Sequence, residues 1–214
     1  MTEIVKAACV IGWPVAHSRS PLIHNHWIRE LGLDAQYRRE AVEPERFADF
    51  VRALDRHGYV GANVTVPHKE AVLALAEPDA RAQAVGAANT LWYEAGRLRA
   101  TNTDAEGFVA NLDATVPGWD RGLDTALVLG AGGAARAVVF ALAERGVAAI
   151  HVANRSYARA AALQDSFGGQ VRALHWQEAA DVMPCAGLLV NTTTLGMAGQ
   201  PALALDLDRL PAVA

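Results

Sequence analysis

Cysteine is scarce in this sequence, and its two occurrences form no pattern. Cys9 and Cys185 stand far apart, without a CxxC pair or the spacing of metal ligands. We therefore expect two buried, unpaired thiols in a reducing cytoplasm, and neither a disulfide framework nor a zinc site. The seven histidines also suggest no metal site, because none pairs with another on one helical face beside a carboxylate. No metal is expected.

Long hydrophobic runs and blocks of one charge are missing as well. No apolar run is long enough to span a bilayer, and residues 1–3 lead into a strand-like run without the regions of a signal peptide. The net charge of −4 comes without a cluster of Lys or Arg, which argues against nucleic acid or an anionic membrane surface as a partner. We expect a cytoplasmic protein, monomeric or homodimeric, whose partner is a small molecule.

The sequence does contain enough apolar material for a sizeable core. Of its 214 residues, 52% are hydrophobic and 20% are charged, and the length suits two domains of about a hundred residues each. The first half predicts strands at 7–12, 36–42 and 59–64, helices at 21–31, 44–57 and 67–75, and a hairpin of 89–93 with 98–100. This alternation predicts a mostly parallel α/β sheet.

The second half follows a helix at 104–113 and a strong break at 116–122. Strand and helix signals then alternate at 126–129, 133–145, 149–153, 155–167, 171–174 and 188–190. We therefore predict two α/β domains: an N-terminal one at 1–103 and a Rossmann-like one at 122–214, joined by a linker helix and loop at 104–121.

A glycine-rich turn lies between the first strand and helix of the second half. Gly130, Gly132 and Ala135 form a G-x-G-x-x-A pattern, which permits a tight turn and close approach of a pyrophosphate to the backbone. The N–H groups of Gly132, Gly133 and Ala134 would hold the phosphates at the start of the helix. The alternative is a glycine turn that binds nothing.

The end of the next strand indicates which dinucleotide binds. Where an enzyme that uses NAD would place an acidic residue, this chain has Asn154, Arg155 and Ser156, with Arg159 one turn further on. A guanidinium can hold the 2′-phosphate of NADP by two charge-assisted hydrogen bonds, and an acidic side chain would repel it. The sequence favours NADP, unless these are two solvated helix arginines.

Polar side chains in the first half are grouped at turns instead of being spread over a surface. Ser18 and Ser20 precede a helix, where Ser20 could also be a simple N-cap. Asn63, Thr65 and Lys69 lie at the exit of the third strand, and the carboxyl ends of parallel strands face ligand crevices. The segments 86–90 and 101–107 repeat the pattern.

Taken together, these segments resemble the shikimate dehydrogenase family, which includes quinate/shikimate dehydrogenases. Its signatures occur in family order over residues 12–199: S-x-S-P-x-x-H-N, N-V-T-V-P-H-K, G-A-x-N-T, N-T-D-x-x-G, the glycine turn, N-R-S and N-T-T-x-L-G-M. The resemblance implies a substrate domain followed by an NADP-binding Rossmann domain. It also implies NADPH-dependent, reversible reduction of 3-dehydroshikimate to shikimate, a step of aromatic amino acid biosynthesis.

The resemblance also assigns roles to individual residues. It implies that Ser18 and Ser20 bind the substrate carboxylate, that Lys69 and Asp104 are the catalytic pair, and that the ring hydroxyls are bound by Thr65, Asn89 and Asp104. Arg155, Ser156 and Arg159 fall where the family holds the 2′-phosphate, and residues 191–197, including Thr192 and Met197, fall at the nicotinamide end.

Lys69 suits the chemistry of ketone reduction. When a ketone accepts hydride at carbon, charge develops on oxygen, and an ammonium beside that oxygen stabilises the charge and donates the proton, typically worth about 10²- to 10⁴-fold in rate. The alternative is an exposed lysine in the first turn of a helix, where a cation is mildly unfavourable against the dipole. Because a lysine is unfavourable there for stability, its presence slightly favours a functional role for Lys69.

The sequence departs from the resemblance at its end. Family members continue with a strand that carries a tyrosine and a helix that carries a glutamine to the substrate, and neither is present here. We therefore expect a shortened form with weak or absent turnover, or a second chain that covers the gap. The alternatives for function are a dehydrogenase of broader quinate/shikimate specificity and a form that binds its ligands with little turnover.

Overall fold

The structure, a computed structural model, describes residues 6–211. Residues 1–3, on which the expectation of no signal peptide depends, and residues 212–214 lie outside the described residues. The chain divides into two compact units, Met1–Thr103 and Asp104–Ala214. Within the described residues, no helix is both long enough and apolar enough to cross a membrane.

The first unit is an α/β domain around one six-stranded sheet of order β2-β1-β3-β5-β6-β4. Three of its five strand pairings are parallel, and the hairpin of β5 with β6 contributes an antiparallel one, which confirms the mostly parallel sheet. Its elements are β1 Lys6–Gly12, α1 Ser20–Glu30, β2 Ala35–Ala41, α2 Pro44–Arg52, β3 Tyr59–Val64, a 3₁₀ helix Ala71–Ala74, β4 Glu77–Pro78, α3 Ala80–Val85, β5 Thr90–Glu94 and β6 Arg97–Thr101.

The core of this unit forms where α2 covers one face of the sheet. Phe47 and Val51 of α2, with Leu54 in the turn that follows, are all at most 2% exposed and pack with Cys9 of β1. Cys9 is therefore buried as expected, but Cys185 is exposed, so the expectation of two buried thiols was wrong for the second. Both thiols are free.

The helix predicted after Pro67 is absent. In its place the chain makes turns through residues 65–70, and only the short 3₁₀ helix Ala71–Ala74 follows. The reason lies in the backbone: the carbonyls of Val66 and Lys69 accept hydrogen bonds from distant N–H groups, so they cannot serve an α-helix. The helix predicted at 44–57 ends at Arg52, and residues 53–58 form turns with local hydrogen bonds before β3 begins.

The second unit has a parallel four-stranded sheet of order β10-β7-β8-β9, with the Rossmann-like alternation that the sequence predicted. Its elements are α4 Asp104–Thr115, β7 Thr125–Leu129, α5 Gly133–Glu144, β8 Ala149–Asn154, α6 Tyr157–Phe167, β9 Val171–His175, α7 Ala179–Val182, β10 Leu188–Asn191 and the 3₁₀ helices Trp176–Glu178, Met183–Cys185 and Leu207–Arg209.

The expected linker helix belongs to this second unit. α4 packs against α5, and Arg145 at the end of α5 binds Asp113 of α4 and, at 2.7 Å, Asp120 in the following loop. The side chains of Phe108 and Trp119 meet edge to face beside these ion pairs. Residues 104–120 are thus held to the rest of the second unit by ion pairs and ring packing.

Candidate active site

The exits of β1 and β3 are joined by backbone hydrogen bonds. Thr65 N–H donates to Ile11 at 2.9 Å, and Trp13 N–H donates to Val66 at 3.0 Å. The two loops approach so closely that a Cβ on Gly12 would lie 2.5 Å from Thr65 Cγ2. Glycine is required there because any larger residue would push Thr65 away.

Lys69 lies half-buried in the turn after β3 and is tied to the segment before β5. Its carbonyl accepts from Ala88 N–H at 2.8 Å, and the next carbonyl along that segment, Asn89, accepts from Val64 N–H at 2.9 Å. The structure therefore brings Lys69, Thr65 and Asn89 into adjoining loops at one edge of the sheet. Because no α-helix begins at Lys69, the predicted position in the first turn of a helix was wrong, and a helix dipole does not bear on its role.

His68, immediately before Lys69, anchors this turn in the core. Its ring is 2% exposed and stacks on Phe47, with ring centroids 4.0 Å apart and 2° between planes. Its Nε2 lies 2.7 Å from the carbonyl oxygen of Val42. Burial lowers the pKa of His68, so the neutral ring donates its Nε2–H to that carbonyl. Sequence reasoning assigned His68 no role, since its partners lie more than twenty residues away.

The serine pair lies in the loop between β1 and α1. Ser20 is the first residue of α1, Arg19 occupies the N-cap position, and no side chain caps the helix from there, so the alternative of an N-cap at Ser20 was wrong. The hydroxyl of Ser18 donates to the hydroxyl of Ser20 at 3.2 Å. Arg39 holds the loop by donating two hydrogen bonds to the carbonyl of Ser18, at 2.9 and 2.5 Å. The two hydroxyls are thus adjacent, as binding of one carboxylate requires.

Asn89 is bound to the end of the hairpin by its side chain. Its Oδ1 accepts from Thr103 N–H at 2.9 Å, and its Nδ2 donates to the Thr103 hydroxyl at 2.9 Å. Buried Asn102 supports the same loops by donating to the carbonyl of Ala87 at 2.9 Å. Asp104, the remaining residue expected at the substrate, begins α4 in the second unit and is half-buried.

The glycine turn of the second unit has the geometry of a phosphate cradle. Gly130 has φ +104°, and a Cβ there would lie 2.6 Å from Thr192 Oγ1. At Gly132, by contrast, an added Cβ would meet only Arg159 Nη2, at 3.9 Å. Gly132 therefore lines open space beside a guanidinium at the start of α5, whose first turn contains no acidic residue. A dinucleotide pyrophosphate fits these features.

The loop after β8 presents the basic side chains. Asn154 Nδ2 donates to the carbonyl of Ser156 at 2.9 Å, which shapes the turn that carries Arg155. Arg155 and Arg159 are both exposed, Arg155 before α6 and Arg159 in its first turn. Because Arg159 Nη2 lies 3.9 Å from the position of a Cβ built on Gly132, this guanidinium is beside the glycine turn, where it could bind a phosphate group.

The segment after β10 closes the other side of the turn. Thr192 donates both its N–H, at 2.9 Å, and its hydroxyl, at 2.6 Å, to the carbonyl of Leu129 at the end of β7. Asn191 Nδ2 donates to the carbonyl of Leu195 at 3.0 Å and so stabilises the loop that leads to Met197. The side chain of Met197 is 45% exposed. The loop expected at the nicotinamide end is therefore anchored beside Gly130.

Comparisons with known proteins find matches for each of the two units. A family model described as "Shikimate dehydrogenase substrate binding domain" matches residues 10–91, and one described as "Shikimate / quinate 5-dehydrogenase" matches residues 120–196. The chain belongs to the shikimate dehydrogenase family. A relative from Rhodopseudomonas palustris (strain BisB18) named shikimate dehydrogenase (NADP(+)) is 63% identical over 99% of this chain and 76% of its own length.

Solved structures of this family have the same fold. The shikimate 5-dehydrogenase of Thermus thermophilus in complex with NADP(H) and shikimate matches with a TM-score of 0.79 and 37% identity, over 96% of this chain and 75% of its own. A quinate dehydrogenase of Corynebacterium glutamicum in complex with NAD matches with a TM-score of 0.82 and 30% identity, over 95% and 76%. The predicted family and fold class are confirmed.

Proposed function

We propose that this protein is an NADP-dependent shikimate dehydrogenase that reversibly reduces 3-dehydroshikimate to shikimate, a step of aromatic amino acid biosynthesis. The observation that carries the proposal is the position of Lys69, which its backbone fixes beside Asn89 and Thr65 at the end of a parallel strand. It is supported by relatives named shikimate dehydrogenase (NADP(+)) that are more than 60% identical over nearly the whole chain.

The residues of the first unit would bind and activate the substrate. The adjacent hydroxyls of Ser18 and Ser20 would donate to its carboxylate, and Thr65 and Asn89 would bind ring hydroxyls. Lys69, as an ammonium, would stabilise the charge that develops on the ketone oxygen during reduction and then donate a proton to it; in the oxidation it takes that proton back. Asp104 is the proposed second catalytic residue and a further ligand of a ring hydroxyl.

The second unit would hold NADP(H), which supplies the hydride when it is bound. Gly130 and Gly132 would allow the backbone to approach the pyrophosphate, and the first amides of α5, from Gly133 and Ala134, would donate to it. Arg155, Ser156 and Arg159 would bind the 2′-phosphate, with Asn154 shaping their turn, while Thr192 and Met197 would border the nicotinamide. The cytoplasmic location and the monomeric or homodimeric state stay predictions.

Lys69→Ala tests the proposal. We expect turnover of shikimate with NADP to fall by about 10²- to 10⁴-fold, as for the loss of a general acid, while the Kd for NADP changes little. Lys6→Ala, at the exposed start of β1, is the matched control and should keep wild-type turnover. Undiminished turnover in Lys69→Ala would refute the assigned role of Lys69.

Two rival functions make different predictions in the same assays. A dehydrogenase of broader specificity would oxidise quinate and shikimate at comparable rates, and steady-state rates with each acid, with NADP and with NAD, separate it from the proposed enzyme. A form that only binds would show calorimetric binding of both ligands but no hydride transfer. The matched quinate dehydrogenase structure is the reason to include quinate and NAD.

A further inference from the structure

Two residues of the S-x-S-P-x-x-H-N segment, His24 and Asn25, have no role in the proposed chemistry. Both hold a buried tyrosine of β2. The side-chain amide of Asn25 donates to the carbonyl of Tyr37 at 2.8 Å and accepts from its N–H at 2.9 Å. The ring of His24 stacks on the Tyr37 ring, with centroids 4.2 Å apart and 11° between planes. Tyr37, only 6% exposed, is thus fixed in both backbone and ring.

The hydroxyl of Tyr37 reaches a residue of the N-V-T-V-P-H-K segment. It donates to Asn63 Oδ1 at 2.5 Å. Burial raises the pKa of Tyr37, so the phenol keeps its proton and acts as the donor. Because this bond determines which end of the Asn63 amide is the oxygen, Nδ2 is the donor on the other side, 3.2 Å from Thr90 Oγ1 and 3.3 Å from the Asn89 carbonyl.

The direction of the bonds continues to Asn89. Since Thr90 Oγ1 accepts from Asn63, its own proton goes to Asn89 Oδ1, at 3.1 Å. The same Oδ1 accepts from Thr103 N–H at 2.9 Å. Both contacts require oxygen at this end of the Asn89 amide, so Nδ2 is its donor end. One N–H of Nδ2 goes to the Thr103 hydroxyl at 2.9 Å, and in the proposed function the other donates to a substrate hydroxyl.

We infer that Tyr37 is a positioning residue that acts through Asn63 and Thr90 and, together with Thr103 N–H, holds the orientation of the Asn89 amide, and thereby contributes to recognition of one substrate hydroxyl. The inference rests on the proposed function, in which Asn89 binds a ring hydroxyl. An amide that is held as a donor discriminates strongly between a ligand that has the hydroxyl and one that lacks it. When the hydroxyl is missing, the N–H of the amide is left without a hydrogen-bond acceptor, which costs binding free energy.

A double-mutant cycle tests this relay. Shikimate binding is measured by calorimetry for the wild-type chain, Tyr37→Phe, Asn89→Ala and the double variant, with steady-state kinetics alongside. We expect Tyr37→Phe to raise the Kd of shikimate about 3- to 10-fold, the effect of one hydrogen bond, and to change it less than about 2-fold when Asn89 is already alanine. KM should follow Kd, while kcat and the Kd of NADP change little.

Two comparisons separate positioning from general structural damage. Tyr93→Phe is the matched control, because its hydroxyl accepts from Asp55 N–H elsewhere in the unit, and it should leave the Kd unchanged. Shikimate analogues that each lack one ring hydroxyl should include one that binds wild type and Tyr37→Phe equally. Thr90→Val, which removes the middle hydroxyl, should reproduce the loss and serves as the second variant if Tyr37→Phe does not fold.

The outcomes distinguish a failure of this inference from a failure of the proposed function on which it rests. If Asn89→Ala weakens shikimate binding but Tyr37→Phe and Thr90→Val do not, the relay is wrong and the proposed function stands. The relay is equally refuted if Tyr37→Phe raises the Kd by the same factor in both backgrounds, or for every analogue alike. If the wild-type chain binds NADP but not shikimate, the proposed function fails, and the inference with it.

Discussion

The imidazole of His68 lies flat on the phenyl ring of Phe47, and this contact joins the turn that carries Lys69 to the first turns of α2. The hydrogen bond from His68 Nε2 to the carbonyl of Val42 also connects this turn to the segment just before α2. A residue one position from the proposed catalytic lysine is thus part of the hydrophobic core, which restricts the backbone of Lys69.

His68→Ala should lower the free energy of unfolding by about 2–4 kcal/mol, because it empties a packed site and leaves the Val42 carbonyl without this donor. His68→Phe keeps the stacked ring and should lose only about 1 kcal/mol, the value of the hydrogen bond. Urea denaturation measures both. The exposed His26→Ala is the control, and an equal loss in the alanine and phenylalanine variants would show that the stack contributes nothing.

The stability of the protein should depend on pH through His68. Burial lowers its pKa in the folded chain below the ordinary 6.5, so this contribution to stability is complete above pH 6.5. As the pH falls from 6.5 toward the folded pKa, the unfolded chain binds a proton that the folded chain does not, and the free energy of unfolding decreases. The decrease between about pH 7 and about pH 5 should therefore be smaller in His68→Phe than in wild type. Identical pH profiles would contradict the assignment of a neutral ring.

Two glycines of the nucleotide turn should respond differently to alanine. Gly132→Ala meets no atom closer than 3.9 Å and should cost less than about 1 kcal/mol of stability, yet its Cβ would occupy the space proposed for the pyrophosphate. NADP affinity should fall about 10-fold or more, the loss of at least one charge-assisted hydrogen bond. Gly130→Ala combines φ +104° with a 2.6 Å approach to Thr192 and should cost about 1–3 kcal/mol or more. Thermal unfolding with NADP titration measures each effect, and unaltered affinity in Gly132→Ala would refute the cradle.

Removal of the two guanidiniums should reduce the preference for NADP. In Arg155→Ala/Arg159→Ala the Kd of NADP should rise at least about 10- to 100-fold, since even one charge-assisted contact to a phosphate contributes about 1.5–3 kcal/mol. The Kd of NAD, which has no 2′-phosphate, should change by less than about 3-fold. Arg172→Ala, which replaces an exposed side chain of β9, is the control. Equal loss for both dinucleotides would show that these arginines do not read the 2′-phosphate.

The features that were predictable depend on residues near one another in the chain. The strand–helix alternation, the burial of Phe47, Val51 and Leu54, and the turn at Gly130 and Gly132 all follow from spacings of a few residues. The family signatures are local in the same sense, and they sufficed to indicate Lys69, Asn89 and Arg155. The short elements β4 and α3 were not predicted, although Asp79 caps α3 by accepting from Ala82 N–H at 2.8 Å.

The remaining features require partners that the chain brings together from a distance. Residues 65–70 form turns instead of a helix because their carbonyls accept hydrogen bonds from the N–H groups of Trp13 and Ala88. Local sequence propensity does not predict these long-range bonds. The roles of His68 and Tyr37 depend in the same way on Val42 and Asn63, each twenty-six residues away. Local spacing specifies which chemistry the residues can perform, whereas long-range packing and hydrogen bonding specify how those residues are oriented.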